Sequence, residues 1–205
     1  MDILGKLFGS APKVKVIKLF LFNAESVFDM GEVTIRTKIG ASLARREILN
    51  LERVGFIHGK IYTKEVKIQK NKKFIRTKRK VRGYILNYKF PHLELLFNFL
   101  SDSNALRPED LIAKISKGIK IDLLLVAGVF LKNAESRVDL LIVGEHGKEE
   151  IIAEIVKDIE SSLGREIMYV VFSTSEFKYR MSVFDRLLRD ILDYPHEKLV
   201  NKLSI

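Results

Sequence analysis

Cysteine is absent from the 205 residues of this chain, which excludes a disulfide framework, a thiolate metal site and a cysteine nucleophile. Long hydrophobic runs are also absent, since none approaches the roughly 18 residues of a membrane span. The four histidines lack the spacing of metal ligands, so we expect no metal and no cofactor. We therefore expect a cytoplasmic protein that does not bind a membrane. The histidines are His58, His92, His146 and His196.

Acidic residues are scarce in the first part of the chain. Residues 1–92 contain 21 Lys or Arg against 7 Asp or Glu, a net charge of +14, whereas residues 93–205 contain 15 against 19, a net charge of −4. Together these make up the net charge of +10 of the whole chain. This asymmetry suggests a nucleic-acid-binding half joined to a half with another task. The length of the chain is enough for one large domain or two small ones. Its content of 47% apolar residues is enough to form buried cores.

Positive charge is densest at residues 60–82, where 11 of 23 residues are Lys or Arg and only Glu65 is acidic. Residues that favour β-structure flank a polar turn at residues 69–72, which predicts a hairpin ending near Leu86. Like charges at this density repel one another unless phosphates neutralise them, so nucleic acid is the expected partner. The alternative is a solubilising charge run, although disordered basic segments seldom contain so many β-branched and aromatic residues. The candidate binding residues are Lys60, Lys64, Lys67, Lys70, Lys72, Lys73, Arg76, Lys78, Arg79, Lys80 and Arg82.

Three helices are predicted before this hairpin, at residues 12–23, 28–38 and 42–54. Ser26 or Asp29 is expected to cap the second helix. Gly40 is expected to make the following tight turn at a positive φ. Gly55 is expected to end the third helix.

The third helix has one apolar and one cationic side. Spacings of three and four residues place Ala44, Glu47, Ile48, Leu51 and Val54 on the side that should pack inward. Arginine on the other side can bind guanine or phosphate, and asparagine can pair with adenine, so the helix could enter a groove of DNA. The alternative is an ordinary surface helix with solvated arginines. The candidate binding residues are Ser42, Arg45, Arg46, Asn50 and Arg53.

Residues 30–40 resemble the second helix and turn of a winged helix-turn-helix domain, and residues 45–57 resemble a recognition helix that runs into its wing. The resemblance covers roughly residues 10–90 and implies a DNA-binding domain at residues 1–90. It further implies that the basic hairpin is the wing, which is longer and more basic than usual. We therefore expect a sequence-specific transcriptional regulator of double-stranded DNA. A homodimer is expected because symmetric half-sites multiply specificity.

A helical connector is predicted at residues 91–117, with a helix at 93–100 that could pack against a second subunit and another that begins at Pro108. Beyond it, strands predicted at 121–129, 138–143 and 167–172 alternate with helices. This alternation indicates an α/β sheet domain at residues 118–205, and hence a two-domain α+β protein. The helices are predicted at residues 148–163, 175–181 and 183–193, with a short final segment at 199–203.

Residues 125–130, 136–144 and 164–167, with Glu176 and Phe177, resemble a small nucleotidyltransferase-like domain over about residues 118–200. Active members of that family hold magnesium on a carboxylate pair that follows a Gly-Ser turn. Here Val129 replaces the serine and Arg137 replaces the first carboxylate. The resemblance therefore implies an inactive domain that serves dimerisation, partner contact or ligand sensing. The remnant pocket comprises Gly128, Arg137, Asp139 and Glu166.

The remnant pocket allows two roles for Arg137. Arg137 and Asp139 lie two apart on a strand, so they share a face and could form an ion pair. Alternatively, Arg137 could bind a nucleotide phosphate or another anion.

Two alternative functions remain. One alternative function is an active nucleotidyltransferase that modifies RNA or protein, with missing ligands supplied by Glu166 or Glu135. The other is an RNA-binding protein, because the hairpin charge fits RNA as well as DNA.

Overall fold

The computed structural model describes residues 3–70, 73–102, 107–133, 136–145 and 148–205, with the backbone alone for residues 67–70 and 73–75. These residues form an α+β structure with two separate sheets. The chain divides into two compact units. The first comprises Met1–Ser101 and Glu160–Arg165, and the second comprises Asp102–Ile159 and Glu166–Ile205.

The first unit is mainly a group of helices followed by a long hairpin. Its elements are α1 (Ile3–Leu7), α2 (Ala11–Phe22), α3 (Met30–Thr37), α4 (Ala41–Arg53), β1 (Ile57–Lys70), β2 (Lys73–Leu86) and α5 (Leu93–Asp102).

The starts of α2 and α3 follow from local side-chain capping. The hydroxyl of Ser10 accepts the backbone N–H of Lys13 at the start of α2, at 3.3 Å. Asp29 and Glu32 form a reciprocal capping box at the start of α3, in which each side chain accepts the backbone N–H of the other. No side chain caps α4, which begins after Gly40.

The turn between α3 and α4 differs from the sequence prediction. Gly40 has a φ of −64°, and the left-handed residue is Lys38, with a φ of 52° at the end of α3. The chain therefore reverses at the C-terminus of α3 rather than at the N-terminus of α4. Gly55 does take a positive φ, of 77°, directly after α4, as predicted.

The core of the first unit lies where α2 meets α4 and the base of the hairpin. Val16 and Phe20 of α2 are fully buried, and they belong to one cluster with Ile48 of α4 and Ile57 of β1. One member of the predicted buried stripe is misplaced, because Val54 is 64% exposed. It follows the last turn of α4, where helical spacing no longer decides which side is covered.

The hairpin pairs 14 residues of β1 with 14 of β2, in an antiparallel register that runs from Ile57 opposite Leu86 to Lys70 opposite Lys73. A strand of that length spans about 45 Å. Phe28 adds an isolated β-bridge at the base, since it exchanges two backbone hydrogen bonds of 2.9 and 3.0 Å with Tyr84. Asn71 and Lys72 of the predicted turn lie outside the described residues.

The second unit is a mixed sheet with helices. Its elements are α6 (Pro108–Ile115), β3 (Lys120–Val126), a 3-10 helix (Gly128–Leu131), β4 (Leu140–Glu145), α7 (Glu149–Leu163), β5 (Tyr169–Phe172), α8 (Thr174–Ser182), α9 (Arg186–Asp193) and β6 (Glu197–Asn201). The last four residues of α7 belong to the first unit.

The strand order is β5-β4-β3-β6, in which β3 runs antiparallel to β4 and β6 while β4 and β5 are parallel. Helix α7 makes the long connection that a parallel pair requires. Several predicted boundaries are wrong: β3 ends at Val126, β5 begins only at Tyr169, and α9 begins only at Arg186. The strand predicted at 138–143 lies at 140–145, and the final segment predicted at 199–203 is a strand at 197–201. In place of the continued β3, the chain turns into the 3-10 helix after Ala127.

None of the helices in the described part of the chain combines the length and the apolar character needed to cross a bilayer.

Candidate nucleic-acid interface

Helix α4 divides into a buried and an exposed side, as its spacing predicted. Ala44, Ile48 and Leu51 are at most 5% exposed and pack into the core of the first unit. The opposite side is exposed, apart from one half-buried residue, Asn50. Its exposed polar residues are Ser42, Arg45, Arg46 and Arg53.

A buried carboxylate sits beneath this exposed side. Glu47 is only 2% exposed, and its Oε1 accepts hydrogen bonds from Nη2 and Nε of Arg46 at 3.1 and 3.3 Å. The hydroxyl of Ser10 donates to the same oxygen at 3.4 Å. Because Ser10 caps α2, the negative charge lies near the N-terminus of that helix, where the macrodipole favours it. Arg46 is therefore held by its neighbour while its side chain remains 59% exposed.

The hairpin has two different faces, because directly paired residues of antiparallel strands project to the same side and successive residues alternate. We call the face that contacts α3 the α3 face and the opposite one the cationic face. The α3 face comprises Lys60, Tyr62, Lys64, Val66, Thr77, Arg79, Val81 and Gly83, and the cationic face comprises Ile61, Thr63, Glu65, Arg76, Lys78, Lys80 and Arg82.

The α3 face is fixed to the capping box of α3. Nζ of Lys64 lies 2.6 Å from Oδ2 of Asp29 and 2.8 Å from Oε1 of Glu32. The hydroxyl of Tyr62 donates to Oε2 of Glu32 at 2.9 Å. At the base of this face, a Cβ on Gly83 would lie 2.7 Å from a methyl group of Val27, so only glycine fits there without movement.

Opposing effects set the pKa values of this cluster. Burial raises the pKa of Asp29, but the hydrogen bonds from Lys64 and from the backbone of Glu32 outweigh it and lower the pKa. Burial lowers the pKa of Lys64, yet its hydrogen bonds to Asp29 and Glu32 raise the pKa further. Burial, followed by the hydrogen bond to Glu32, raises the pKa of Tyr62 to about 12. All three groups thus keep, over a wide pH range, the protonation states that hold the hairpin to α3.

The cationic face has a row of positive charge along β2. Arg76, Lys78, Lys80 and Arg82 are all exposed and occupy alternate positions, about 6.6 Å apart. Nη2 of Arg82 also lies 3.0 Å from Oε1 of Glu52, in the last turns of α4. The row therefore begins beside α4 and continues away from it along the hairpin.

The sequence predictions for the hairpin cations separate into groups. Lys64 is engaged by α3, whereas Lys60 and Arg79 are exposed on the α3 face. Lys72 lies outside the described residues, as do the side chains of Lys67, Lys70 and Lys73. Asp29 was one of the two residues predicted to cap this helix, but its contact with Lys64 and the roles of Tyr62 and Glu32 were not predicted, although the Asp-x-x-Glu spacing at the start of a helix is a capping-box signal.

In the second unit, Asp139 and Gly128 come together as a structural contact. Asp139 is 7% exposed, and its two oxygens accept the backbone N–H groups of Val129 at 2.7 Å and Met168 at 2.8 Å. Gly128 has a φ of 49°, and a Cβ there would lie 2.1 Å from Oδ1 of Asp139. The carboxylate therefore joins the 3-10 helix to the segment that leads into β5.

The ion pair expected between Arg137 and Asp139 is not the one formed. Arg137 is 62% exposed, and its Nη1 lies 2.9 Å from Oδ2 of Asp190 on α9, close enough for an ion pair but not aligned as a hydrogen bond. Asp139 is instead turned inward by the two backbone donors. Glu166 is exposed, and Glu135 and His146 lie outside the described residues.

Among the residues that the structure describes, no group of three or more His, Asp or Glu side chains is placed to hold a metal ion. Comparisons of the chain with protein-family models, with curated proteins and with solved structures found no match. The geometry and charge of the two units are therefore the basis for a functional assignment.

Proposed function

We propose that the protein is a cytoplasmic, sequence-specific DNA-binding transcriptional regulator. In this proposal α4 lies in the major groove of double-stranded DNA, and the cationic face of the hairpin lies along the phosphates. The observation that carries the proposal is the division of α4, which buries its apolar residues and exposes three arginines. The order of α2, α3, α4 and a hairpin also supports a winged helix-turn-helix fold for the first unit.

The exposed side of α4 has the chemistry that base reading requires. The major groove is about 12 Å wide and admits an α-helix, and an arginine fork can bind O6 and N7 of guanine. Arg45 and Arg46 are the proposed guanine readers, and Asn50 is the proposed adenine reader. Since Glu47 holds Arg46, its guanidinium is already oriented before DNA arrives, which reduces the entropy lost on binding.

The hairpin supplies binding that does not depend on sequence. Each lysine or arginine that neutralises a phosphate releases counterions, so affinity should fall steeply as the salt concentration rises. Because the cationic face begins beside α4 at the Arg82–Glu52 ion pair, both elements can contact one duplex. The hairpin would then fix the register in which α4 meets the bases.

The second unit is proposed to be an inactive relative of nucleotidyltransferases that supports dimerisation or sensing. Two backbone N–H groups engage the carboxylate of Asp139, which supports a structural role for it. Arg137 is paired with Asp190, and this pairing weighs against the capture of a nucleotide or another anion by Arg137. A phosphate at that position would first have to displace an aspartate.

The test is selection of bound sequences from random duplex DNA at physiological salt, using the full chain. We expect a consensus sequence, and a palindromic one if the protein binds as a homodimer. Arg45→Ala should then weaken binding to that consensus by about 1–3 kcal/mol and relax the preference at one base position. Arg189→Ala, which removes an exposed helical arginine from the second unit, is the matched control and should bind normally.

Two results would reject the proposal. One is the recovery of random sequences only, with affinity that Arg45→Ala leaves unchanged. The other is a structured RNA that outcompetes every duplex, which would favour the RNA-binding alternative instead.

A further inference from the structure

Leu49 is an exposed leucine on the cationic side of α4. Its side chain is 48% exposed, on a helix whose other central aliphatic residues, Ile48 and Leu51, are buried. Residues three and four apart share one side of a helix, so Arg45 and Arg46 lie one turn before Leu49 and Arg53 lies one turn after it. The leucine therefore lies among the three exposed arginines rather than with the core.

A leucine cannot bind DNA in the way that these arginines do. It neither neutralises a phosphate nor forms a hydrogen bond with the edge of a base. Covering a polar base edge with a leucine would remove its water and leave its donors and acceptors without partners, which opposes binding. On a helix that enters the major groove, Leu49 therefore favours a base whose edge is partly apolar.

Thymine provides the apolar group of the major groove, its C5 methyl, whereas guanine, adenine and cytosine are read there through hydrogen-bond donors and acceptors. Uracil lacks this methyl group, and side chains cannot read the deep, narrow major groove of an RNA helix. An exposed leucine among arginines thus fits duplex DNA better than RNA. The charge of the hairpin does not distinguish between the two.

We propose that Leu49 reads a thymine by packing against its C5 methyl group. This inference rests on the proposed function, and it adds one base to the target. A helix rises 1.5 Å per residue, so Leu49 lies about 6 Å along the axis from Arg45, less than two base-pair steps of about 3.4 Å. The thymine should therefore lie within about two base pairs of the guanine that Arg45 reads.

The test uses the consensus duplex obtained by selection, with each thymine of one half-site replaced in turn by deoxyuridine. This change removes the methyl group and keeps the base pair and all of its hydrogen-bonding groups. Burial of one methyl group corresponds to roughly fourfold in affinity. We expect the wild-type chain to bind about fourfold more weakly when one particular thymine is replaced, and to tolerate the other replacements.

Two variants at Leu49 assign that sensitivity to this side chain. Leu49→Ala removes the apolar contact, so it should bind the thymine duplex at least ~fourfold more weakly than wild type and no longer distinguish it from the deoxyuridine duplex. Leu49→Met keeps an apolar side chain of similar volume and should retain the preference. Both replacements favour a helix, so α4 should still form. Leu95→Ala, at a leucine of α5 that is 67% exposed, is the matched control and should keep the wild-type preference.

The outcomes separate this inference from the proposed function. A consensus whose recognition depends on Arg45, but whose affinity no single deoxyuridine changes, would overturn the role of Leu49 and leave the regulator intact. A preference for the sensitive thymine that persists in Leu49→Ala would do the same. Recovery of random sequences alone would reject the regulator and the role of Leu49 with it.

Discussion

Lys64, near the middle of the first hairpin strand, is tied to Asp29, the N-cap of α3, by a contact of 2.6 Å between Nζ and Oδ2. The two residues are 35 positions apart in sequence. Because Asp29 is also the residue from which α3 starts, the direction of the hairpin is set by the helix that precedes α4. In the proposed complex, α4 and the hairpin would thus be held in register by a contact that does not itself need DNA.

Asp29 should make the first unit sensitive to acid. Since the fold lowers its pKa, it contributes stability above the unfolded value of 3.8, and this contribution is lost as the pH falls through the lower folded value. Asp29→Asn keeps a good N-cap but removes the charge, so the variant should lose less stability than wild type between about pH 5 and pH 2. Urea unfolding at several pH values measures the difference.

Asp29→Ala is the companion variant. It removes the cap as well as the charge and should cost about 1 kcal/mol more than Asp29→Asn at neutral pH. Equal pH profiles for wild type and Asp29→Asn would show that ionisation of Asp29 makes no net contribution to stability.

Tyr62 should titrate well above the ordinary pKa of a tyrosine side chain. Its pKa is raised from 10.0 to about 12, chiefly by burial and then by its hydrogen bond to Glu32. The folded state therefore binds the phenolic proton more tightly, and the associated stability is present below pH 10 and lost as the pH rises towards about 12. Absorbance titration of the phenolate should show a late step that Tyr62→Phe removes.

A titration in which Tyr62→Phe instead removes a step near the ordinary value would place Tyr62 in solvent. Glu32→Gln gives a second check, because it removes the charge that opposes ionisation of Tyr62. That variant should move the late step to lower pH.

The two faces of the hairpin should differ in their contribution to DNA binding. Lys78→Gln with Lys80→Gln removes two charges from the cationic face, and should reduce the slope of log affinity against log salt by about two units. Lys60→Gln with Arg79→Gln removes the same charge from the α3 face and should change the slope little. The comparison holds the net charge constant, so only the position of the charge differs.

Equal slopes for these two double variants would mean that the hairpin attracts phosphates through its total charge alone. The cationic face would then have no separate role. Measurements on a non-specific duplex suffice, because the predicted effect is independent of sequence.

Asp139→Asn should destabilise the second unit. The amide has one acceptor oxygen, so one of the backbone N–H groups of Val129 and Met168 loses its acceptor, at a cost of about 1–3 kcal/mol. Asp193→Asn on α9 is an exposed control and should be neutral. A different outcome would be the transfer of label from ATP in the presence of Mg²⁺, abolished by Asp139→Asn without loss of stability. That result would make the carboxylate catalytic.

Apart from α1, which was not predicted, the helices and the hairpin of the first unit could be predicted from sequence because their signals are local. The period of α4 identified its exposed arginines, and Gly55 marked its end. The same local signals failed where tertiary packing decides. Lys38, rather than Gly40, takes the left-handed conformation, and Val54 is exposed although it continues the apolar spacing.

The side-chain contacts of the hairpin and of the remnant pocket mostly join residues far apart in the chain. Arg137 pairs with Asp190, 53 positions away, so spacing on one strand could not have identified that partner. The link from Tyr62 to Glu32 was hidden for the same reason. By contrast, the alternation of Arg76, Lys78, Lys80 and Arg82 is visible in the sequence once the hairpin register is known.

The separation of the hairpin into two faces restricts how its length can change. Inserting one residue into each strand would exchange the faces beyond the insertion and turn the row of cations towards α3. Inserting two would keep the faces and extend the arm by about 7 Å, close to two base pairs of duplex. If the proposed DNA contacts are made, the length of site that the protein covers can therefore evolve only in steps of two residues per strand.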